Sequence, residues 1–261
     1  MPEWELVAFD LDGTLLDETS SLPAEVATWV RGLSEKTRVT LATGRSLPSA
    51  RPFAQALEIN TPAILYHGAV VYDFSSGEAL LTRKIPSELA RRALDLLASW
   101  PVSVEAYLGP HDPTVYVWQV DPRIERFSRK ERLSVAEADL RELTEAGIAK
   151  LLVVGAPETL PALTAALKGE LPQARVVRSE SDYLEILPPG VDKGEALRWL
   201  CGRLGIPLEK VVAVGDQESD LGMIRRAGLG VAMARAPGPV RRAADLVVES
   251  VLELAPRLSP G

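Results

Sequence analysis

The chain has 261 residues, of which 46% are hydrophobic and 25% charged, a composition typical of a globular protein with one or two packed domains. Its formal net charge is −7, so it offers no general basic field for a polyanion, and we expect no nucleic-acid partner. Its apolar runs are shorter than the roughly 18 residues of a membrane span. The single cysteine excludes an intrachain disulfide. Because the apolar runs are short, we expect a soluble, cytoplasmic protein without a membrane partner.

The first third of the chain alternates short apolar runs with helical patterns. Strands are predicted at 7–10, 39–43 and 63–68, and helices near 23–34 and 47–57. This alternation indicates parallel strands that are joined by crossover helices. Sheets of this kind bind their ligands at the carboxyl ends of the strands.

The middle of the chain follows a different pattern. Residues 102–108 and 114–120 alternate apolar and polar side chains on either side of a Gly-Pro-His-Asp-Pro turn, which predicts an antiparallel hairpin. Tyr107, Tyr116 and Trp118 lie on this hairpin, where aromatic side chains either line a pocket or fill the core. The segment is therefore expected to form a separate α+β domain.

The last third returns to the first pattern. Helices are predicted near 193–204, 219–226 and 237–243, and strands at 211–216, 228–233 and 244–248. We therefore predict an α/β protein. A Rossmann-like, doubly wound parallel sheet would be formed by residues 1–83 and 184–261, with an inserted α+β cap at 84–183.

Two carboxylates stand where the first strand ends. Asp10 and Asp12 are two residues apart, so in a strand both would project to the same face, and Gly13 would allow the chain to turn directly after them. Like charges at this separation repel unless a cation or a shared proton lies between them, and oxygen ligands suit Mg²⁺. The pair favours a magnesium site, although an isolated pair of this kind also fits an exposed acidic turn.

Three further patterns occur at predicted strand ends or helix starts. Thr43 and the amide of Gly44 suit an anion, Lys193 begins a helix after a loop, and Asp216 and Asp220 follow an apolar strand. Each pattern alone also fits an ordinary turn, a solvated lysine or a helix cap. Their coincidence at one edge of a sheet favours a ligand site.

Together, the four motifs resemble those of the haloacid dehalogenase superfamily. They are DLDGTLLD at 10–17, TGR at 43–45, the lysine of DKG at 192–194, and GDQESD at 215–220. The large insert between the second and third motifs resembles the Cof-like sugar-phosphatase branch. Two departures from that branch concern the substrate: Ser219 and His67 stand where asparagine is common.

The resemblance implies a Mg²⁺-dependent phosphatase that hydrolyses a small phosphomonoester, such as a sugar phosphate, through an aspartyl-phosphate. Asp10 would be the nucleophile and Asp12 the general acid and base, with Mg²⁺ held by Asp10, the Asp12 carbonyl and Asp216. The remaining implied roles are phosphate or substrate binding by Thr43, Gly44, Arg45, Lys193 and His67, with support from Ser219 and Asp220.

Three alternatives remain at this stage. A phosphomutase of the same superfamily would move phosphate instead of releasing it, and a silent sugar-phosphate sensor would only bind. A signalling receiver also groups acids, a hydroxyl and a lysine around Mg²⁺, but its acidic pair precedes a later lone acceptor in a chain of one small domain. Here the Asp10–Asp12 pair comes first, and a domain-sized insert separates Thr43 from Lys193. The sequence leaves the substrate and the oligomeric state open.

Overall fold

The computed structural model describes residues 4–131 and 133–258 and, for Lys130, the backbone alone. Its contacts divide the chain into two units. The core unit comprises Met1–Arg45, Ala50–Leu80 and Asp192–Gly261, and the insert unit comprises Ser46–Ser49 and Leu81–Val191.

The elements alternate as an α/β chain requires. The strands are β1 (Leu6–Phe9), β2 (Arg38–Leu41), β3 (Ala63–Leu65), β4 (Val70–Asp73), β5 (Glu78–Thr82), β6 (Ser103–Tyr107), β7 (Thr114–Val117), β8 (Ser134–Glu137), β9 (Lys150–Val154), β10 (Arg175–Arg178), β11 (Tyr183–Leu187), β12 (Val211–Gly215), β13 (Leu229–Met233) and β14 (Leu246–Val248). The helices are α1 (Ala24–Ser34), α2 (Leu47–Ala56), α3 (Ser87–Leu97), α4 (Pro122–Glu131), α5 (Leu160–Glu170), α6 (Lys193–Leu204), α7 (Leu221–Ile224), α8 (Gly238–Ala243) and α9 (Ala255–Leu258).

The main sheet of the core unit is parallel. Its strand order is β14-β13-β12-β1-β2, so β1 lies between β12 and β2. β1 and β12 are buried along their whole length, which is why they consist of continuous apolar runs and not of alternating residues. This sheet confirms the predicted α/β fold and brings the ends of β1, β2, β12 and β13 to one edge.

The third predicted strand differs from the expectation. β3 pairs antiparallel with β4 in a separate sheet, β3-β4-β5, and joins the end of β2 through one parallel bridge between Ala42 and Ile64. The chain reverses immediately after Leu65, because Tyr66, His67 and Gly68 all have positive φ angles, of 50°, 54° and 101°. The parallel-strand prediction for 63–68 is therefore wrong beyond Leu65.

One predicted helix is shorter than expected. Instead of a helix over 219–226, the structure has a single 3-10 turn, Glu218–Asp220, followed by α7. A reciprocal cap explains this turn, since the Gln217 and Asp220 side chains each accept from the backbone of the other residue.

The insert unit has a six-stranded mixed sheet, in the order β10-β11-β9-β6-β7-β8. The predicted hairpin is present, since β6 and β7 pair antiparallel. One face of the sheet is apolar and packs with α3 and α5, and the partly buried Tyr116 and Trp118 pack against that core. Tyr107 is buried on the opposite face, where its hydroxyl donates to Glu105 at 2.6 Å. All three aromatic side chains are thus packed within this unit.

Within the two described ranges of the chain, no helix is both long enough and apolar enough to cross a membrane.

Candidate active site

A buried lysine joins two of the predicted acids. Lys193 is the first residue of α6, after the N-cap Asp192, whose side chain accepts from the Glu195 amide at 2.8 Å. The Lys193 Nζ lies 2.7 Å from Asp10 Oδ1 and 2.6 Å from Asp220 Oδ1. Lys193 is 2% exposed and Asp220 is 0% exposed, so both ion pairs are shielded from water.

Burial and charge shift the pKa values at this site. Burial raises the pKa of Asp10 well above its usual range, against the opposing effect of Lys193. Burial alone would lower the pKa of Lys193, but the carboxylates of Asp10 and Asp220 raise it above its usual value. Burial, followed by the charge of Asp220, raises the pKa of Asp216 to about 6. Burial therefore disfavours the ionised forms of Asp10 and Asp216, and a bound cation would favour them.

The same carboxylates form a candidate metal centre. Oxygen atoms of Asp10, Asp216 and Asp220 lie within 4.8 Å of one another. Asp220 is already engaged, since Lys193 contacts its Oδ1 and the amides of Asp216 and Gln217 donate to its Oδ2 at 3.0 and 2.9 Å. Among the described residues, the buried Asp216 Oδ1 has no hydrogen-bond partner. Asp10 and Asp216 thus offer hard oxygen ligands, and the unpartnered Asp216 Oδ1 is available to a cation, which fits Mg²⁺.

The loop after β1, residues 10–16, packs against this centre and is called the β1 loop below. Gly13 has a φ angle of 79°, and a Cβ at this position would overlap the Asp216 carboxylate. A tight turn forms because the amides of Thr14, Leu15 and Leu16 all donate to the Leu11 carbonyl, at 3.2, 3.0 and 2.9 Å. Glycine is therefore required here for both its conformation and its size.

Asp12 points to a different partner from Asp10. Its Oδ2 accepts from Arg45 Nε at 2.8 Å and its Oδ1 from Arg45 Nη2 at 2.7 Å, as a two-pronged ion pair. The guanidinium also lies 5.0 Å from the centre of the Phe53 ring. The arginine that we expected at the phosphate is thus paired with Asp12, which stands apart from the three-carboxylate cluster.

Thr43, Gly44 and His67 come together at the end of β2. The Thr43 hydroxyl accepts from the Arg45 amide at 3.1 Å, and the His67 amide donates to the Thr43 carbonyl at 3.0 Å. A Cβ on Gly44 would overlap the His67 imidazole. The histidine ring therefore packs against Gly44, the residue whose amide we expected to bind phosphate.

The remaining predicted residue, Ser219, is half-buried in the turn between Asp216 and Asp220. The hydrogen bonds described for the carboxylate cluster do not include its hydroxyl. Gln217 does contribute, because its Nε2 donates to Asp216 Oδ2 at 3.1 Å.

Arg235 was not among the site residues predicted from the sequence. Its Nε donates to the Gly13 carbonyl at 2.8 Å, and its charge lowers the pKa of Asp216, against the larger effect of burial. Arg235 follows β13, so the strand-end rule that selected the other residues would have found it if applied to this strand as well.

Comparisons with known proteins agree with the fold and the motifs. The model of a family described as haloacid dehalogenase-like hydrolase matches residues 7–253. 5-amino-6-(5-phospho-D-ribitylamino)uracil phosphatase YitU of Bacillus subtilis (strain 168) is 27% identical over 247 residues, or 92% of this chain and 90% of that protein. HMP-PP phosphatase of Serratia proteamaculans (strain 568) is 30% identical over 236 residues, or 89% of this chain and 85% of that protein.

A solved structure extends the agreement to the backbone. The X-ray crystal structure of TM0651 from Thermotoga maritima superposes with a TM-score of 0.85 at 33% identity, covering 99% of this chain and 98% of that one. The family match spans both the core unit and the insert unit, and the resemblance that the four motifs indicated is confirmed. The chain belongs to the haloacid dehalogenase-like hydrolases.

Proposed function

We propose that this protein is a Mg²⁺-dependent phosphatase that hydrolyses a small phosphomonoester through an aspartyl-phosphate on Asp10. The observation that carries the proposal is the buried arrangement of Asp10, Lys193, Asp216 and Asp220 at one edge of the sheet. Two relatives whose sequences align with most of this chain are named as phosphatases, which supports the same reaction class.

The nucleophile and the acid are assigned by their surroundings. Asp10 attacks phosphorus in line and releases the alcohol, leaving its carboxyl group as an acyl phosphate. Asp12 protonates the leaving oxygen and then removes a proton from the water that attacks the intermediate. The side chain of Asp12 is 46% exposed, whereas Asp10 is buried, so Asp12 is the carboxylate with access to water.

The phosphoryl oxygens need donors that are already in position, because most of the catalysis of phosphoryl transfer is positioning and neutralisation of charge. Lys193 supplies a charged donor, and we assign the Thr43 hydroxyl and the Gly44 amide as further donors. Asp220 orients Lys193 through the 2.6 Å contact, and Arg45 orients Asp12 through its ion pair.

Asp10, Asp216 and the backbone carbonyl of Asp12 would hold Mg²⁺. When bound, the ion neutralises charge on the phosphate, so that an anionic carboxylate can approach it. The unpartnered, buried Asp216 Oδ1 supports this assignment.

We further propose that the substrate is a sugar phosphate or a related phosphorylated metabolite. The insert unit, Leu81–Val191, would select the organic part of the substrate. His67 would donate to the substrate near its phosphate, at the position where the resemblance led us to expect an asparagine.

A screen of phosphate release tests the proposal. The purified protein is incubated with a panel of sugar phosphates and other phosphomonoesters in Mg²⁺, or after treatment with EDTA and dialysis, and Asp10→Asn is tested in parallel. We expect Mg²⁺-dependent release by the wild type and none by Asp10→Asn, whose amide cannot form an acyl phosphate. Phosphate transfer without release would indicate a phosphomutase, and binding without turnover would indicate a sensor; either result would overturn the proposal.

A further inference from the structure

Arg235 stands on a firmly anchored turn next to the candidate active site. The turn follows β13, and its neighbouring amides are fixed: Ala234 donates to the Val248 carbonyl at 2.8 Å and Ala236 to the Met233 carbonyl at 2.9 Å. Ala236 is also buried in a small apolar cluster with Val240. The base of the Arg235 side chain is thus held in place on both sides.

The guanidinium reaches from this turn to the β1 loop. Its Nε and Nη2 both donate to the Gly13 carbonyl, and its Nη2 also lies 3.5 Å from the Leu16 carbonyl. Arg235 is otherwise an exposed residue, so packing in the core does not explain its orientation. Two charged donors on one carbonyl are a strong restraint on a loop without regular secondary structure.

The residue that Arg235 restrains is Gly13, which lies between the proposed general acid and base, Asp12, and the candidate metal ligand Asp216. Gly13 directly follows Asp12, and its Cα lies so close to Asp216 that a Cβ would overlap the carboxylate. A shift of Gly13 would therefore move Asp12 and would also open space beside Asp216. The same geometry brings the positive charge of Arg235 close to the candidate metal centre.

We propose that Arg235 is a positioning residue with two effects: it fixes the β1 loop so that Asp12 is held for proton transfer, and its charge weakens the binding of Mg²⁺ to the carboxylate cluster. This inference rests on the proposed function. The two effects have opposite consequences when the arginine is replaced, because the loss of positioning lowers the rate whereas the loss of charge strengthens metal binding.

The test compares two variants. Arg235→Gln loses the charge, whereas Arg235→Lys keeps the charge but loses the planar guanidinium with its two donors to the Gly13 carbonyl. Mg²⁺ binding is measured by calorimetry on the substrate-free protein, and kcat and KM are measured with a phosphomonoester that the wild type hydrolyses. For Arg235→Gln we expect kcat to fall about 10-fold or more with little change in KM. We expect its Kd for Mg²⁺ to fall about threefold to tenfold, as one nearby charge is removed.

Arg235→Lys should bind Mg²⁺ like the wild type and should still lose part of kcat. Arg242→Gln is the matched control, because Arg242 is an exposed arginine in α8, shortly after Arg235. Its kcat and its Kd for Mg²⁺ should stay at the wild-type level. Thermal melting of each variant separates these effects from unfolding. An unchanged kcat or an unchanged Mg²⁺ affinity in folded Arg235→Gln would overturn the inference. A wild type that releases no phosphate would instead overturn the proposed function.

Discussion

Arg45 donates two hydrogen bonds to Asp12, from Nε at 2.8 Å and from Nη2 at 2.7 Å, so that each carboxylate oxygen has its own donor. Arg45 is largely buried, with 9% of its side chain exposed, against 46% for Asp12. A buried arginine therefore orients a carboxylate that remains open to water. For a residue assigned to proton transfer, this orientation fixes the direction in which a proton can be given or accepted.

We expect Asp12→Asn to lower kcat by about 100-fold or more, because general acid and base catalysis is lost from both half-reactions. Arg45→Lys should cost less, about 10-fold, since a lysine keeps the charge but not the two-pronged geometry. Steady-state rates with an alkyl and an aryl phosphate provide the measurement. The aryl ester, with the better leaving group, should suffer less in the first step.

Coupling between the two residues is checked by the double variant. If Arg45 acts through Asp12, the combined loss in Asp12→Asn with Arg45→Lys should be close to that of Asp12→Asn alone. Fully additive losses would indicate that Arg45 binds the phosphate independently, as the sequence motif first led us to expect.

The ion pairs of Lys193 predict a large effect on stability. Lys193→Met leaves the buried carboxylates of Asp10 and Asp220 without their shared cation, which should lower the free energy of unfolding by about 3 kcal/mol or more. Urea unfolding in the presence of EDTA is the measurement. Lys210→Met is the control, because Lys210 pairs with Glu5 at the surface and its loss should cost about 1 kcal/mol or less. Equal losses in the two variants would contradict the burial argument.

The sequence predicted much of this site because the site depends on buried parallel strands and on the residues at their carboxyl ends. Buried parallel strands appear as continuous apolar runs, and their carboxyl ends meet at one edge, so Asp10, Thr43 and Asp216 could be grouped without coordinates. The Lys193 contact with Asp220 also follows, since Lys193 begins α6 and Asp220 directly precedes α7, both beside that edge.

Other features were beyond such rules. The chain reversal at Tyr66 and His67 uses left-handed conformations at two non-glycine residues, which carry no local sequence signal. The pairing of Arg45 with Asp12 depends on rotamers in two separate loops. Glu105 alternates with apolar residues in its strand, which is typical of a solvent-facing position, yet it is 0% exposed.

Glu105 makes stability dependent on pH. Burial raises its pKa from the ordinary value of 4.5 to about 7, against the opposing effects of the Tyr107 hydroxyl and Lys150, and Glu131 and Glu185 raise it further. Because the pKa of Glu105 is higher in the folded state than in the unfolded state, its protonation stabilises the folded protein. This contribution to the free energy of unfolding is fully present below pH 4.5 and is lost as the pH rises through 7. The difference between the two pKa values, 7 − 4.5, corresponds to a change of about 3 kcal/mol at most in the free energy of unfolding.

Glu105→Gln should remove this dependence, because an amide stays neutral and still accepts from Tyr107. We expect the variant to be more stable than the wild type at pH 8, with a smaller difference at pH 5, as measured by urea unfolding at both pH values. Glu158→Gln, at an exposed position of the same unit, is the control and should show no such pattern. A stability difference for Glu105→Gln that is the same at both pH values would exclude ionisation of this carboxyl as the cause.

The position of His67 predicts an effect on substrate choice. Its amide donates to the Thr43 carbonyl and its ring packs against Gly44, so the imidazole lies beside the residues assigned to phosphate. We expect His67→Asn to change the relative kcat/KM among sugar phosphates while leaving the Mg²⁺ requirement intact, because an amide is smaller and presents a donor at a different point. Asparagine also tolerates the φ angle of 54° at this position, so the turn should be preserved. The panel of the phosphate-release screen, repeated with this variant, is the measurement.

His111→Asn is the matched control, since His111 is the only other histidine and is exposed in the insert unit. An unchanged order of substrates in His67→Asn, with melting like that of the wild type, would mean that the ring only supports the turn and does not contact the substrate.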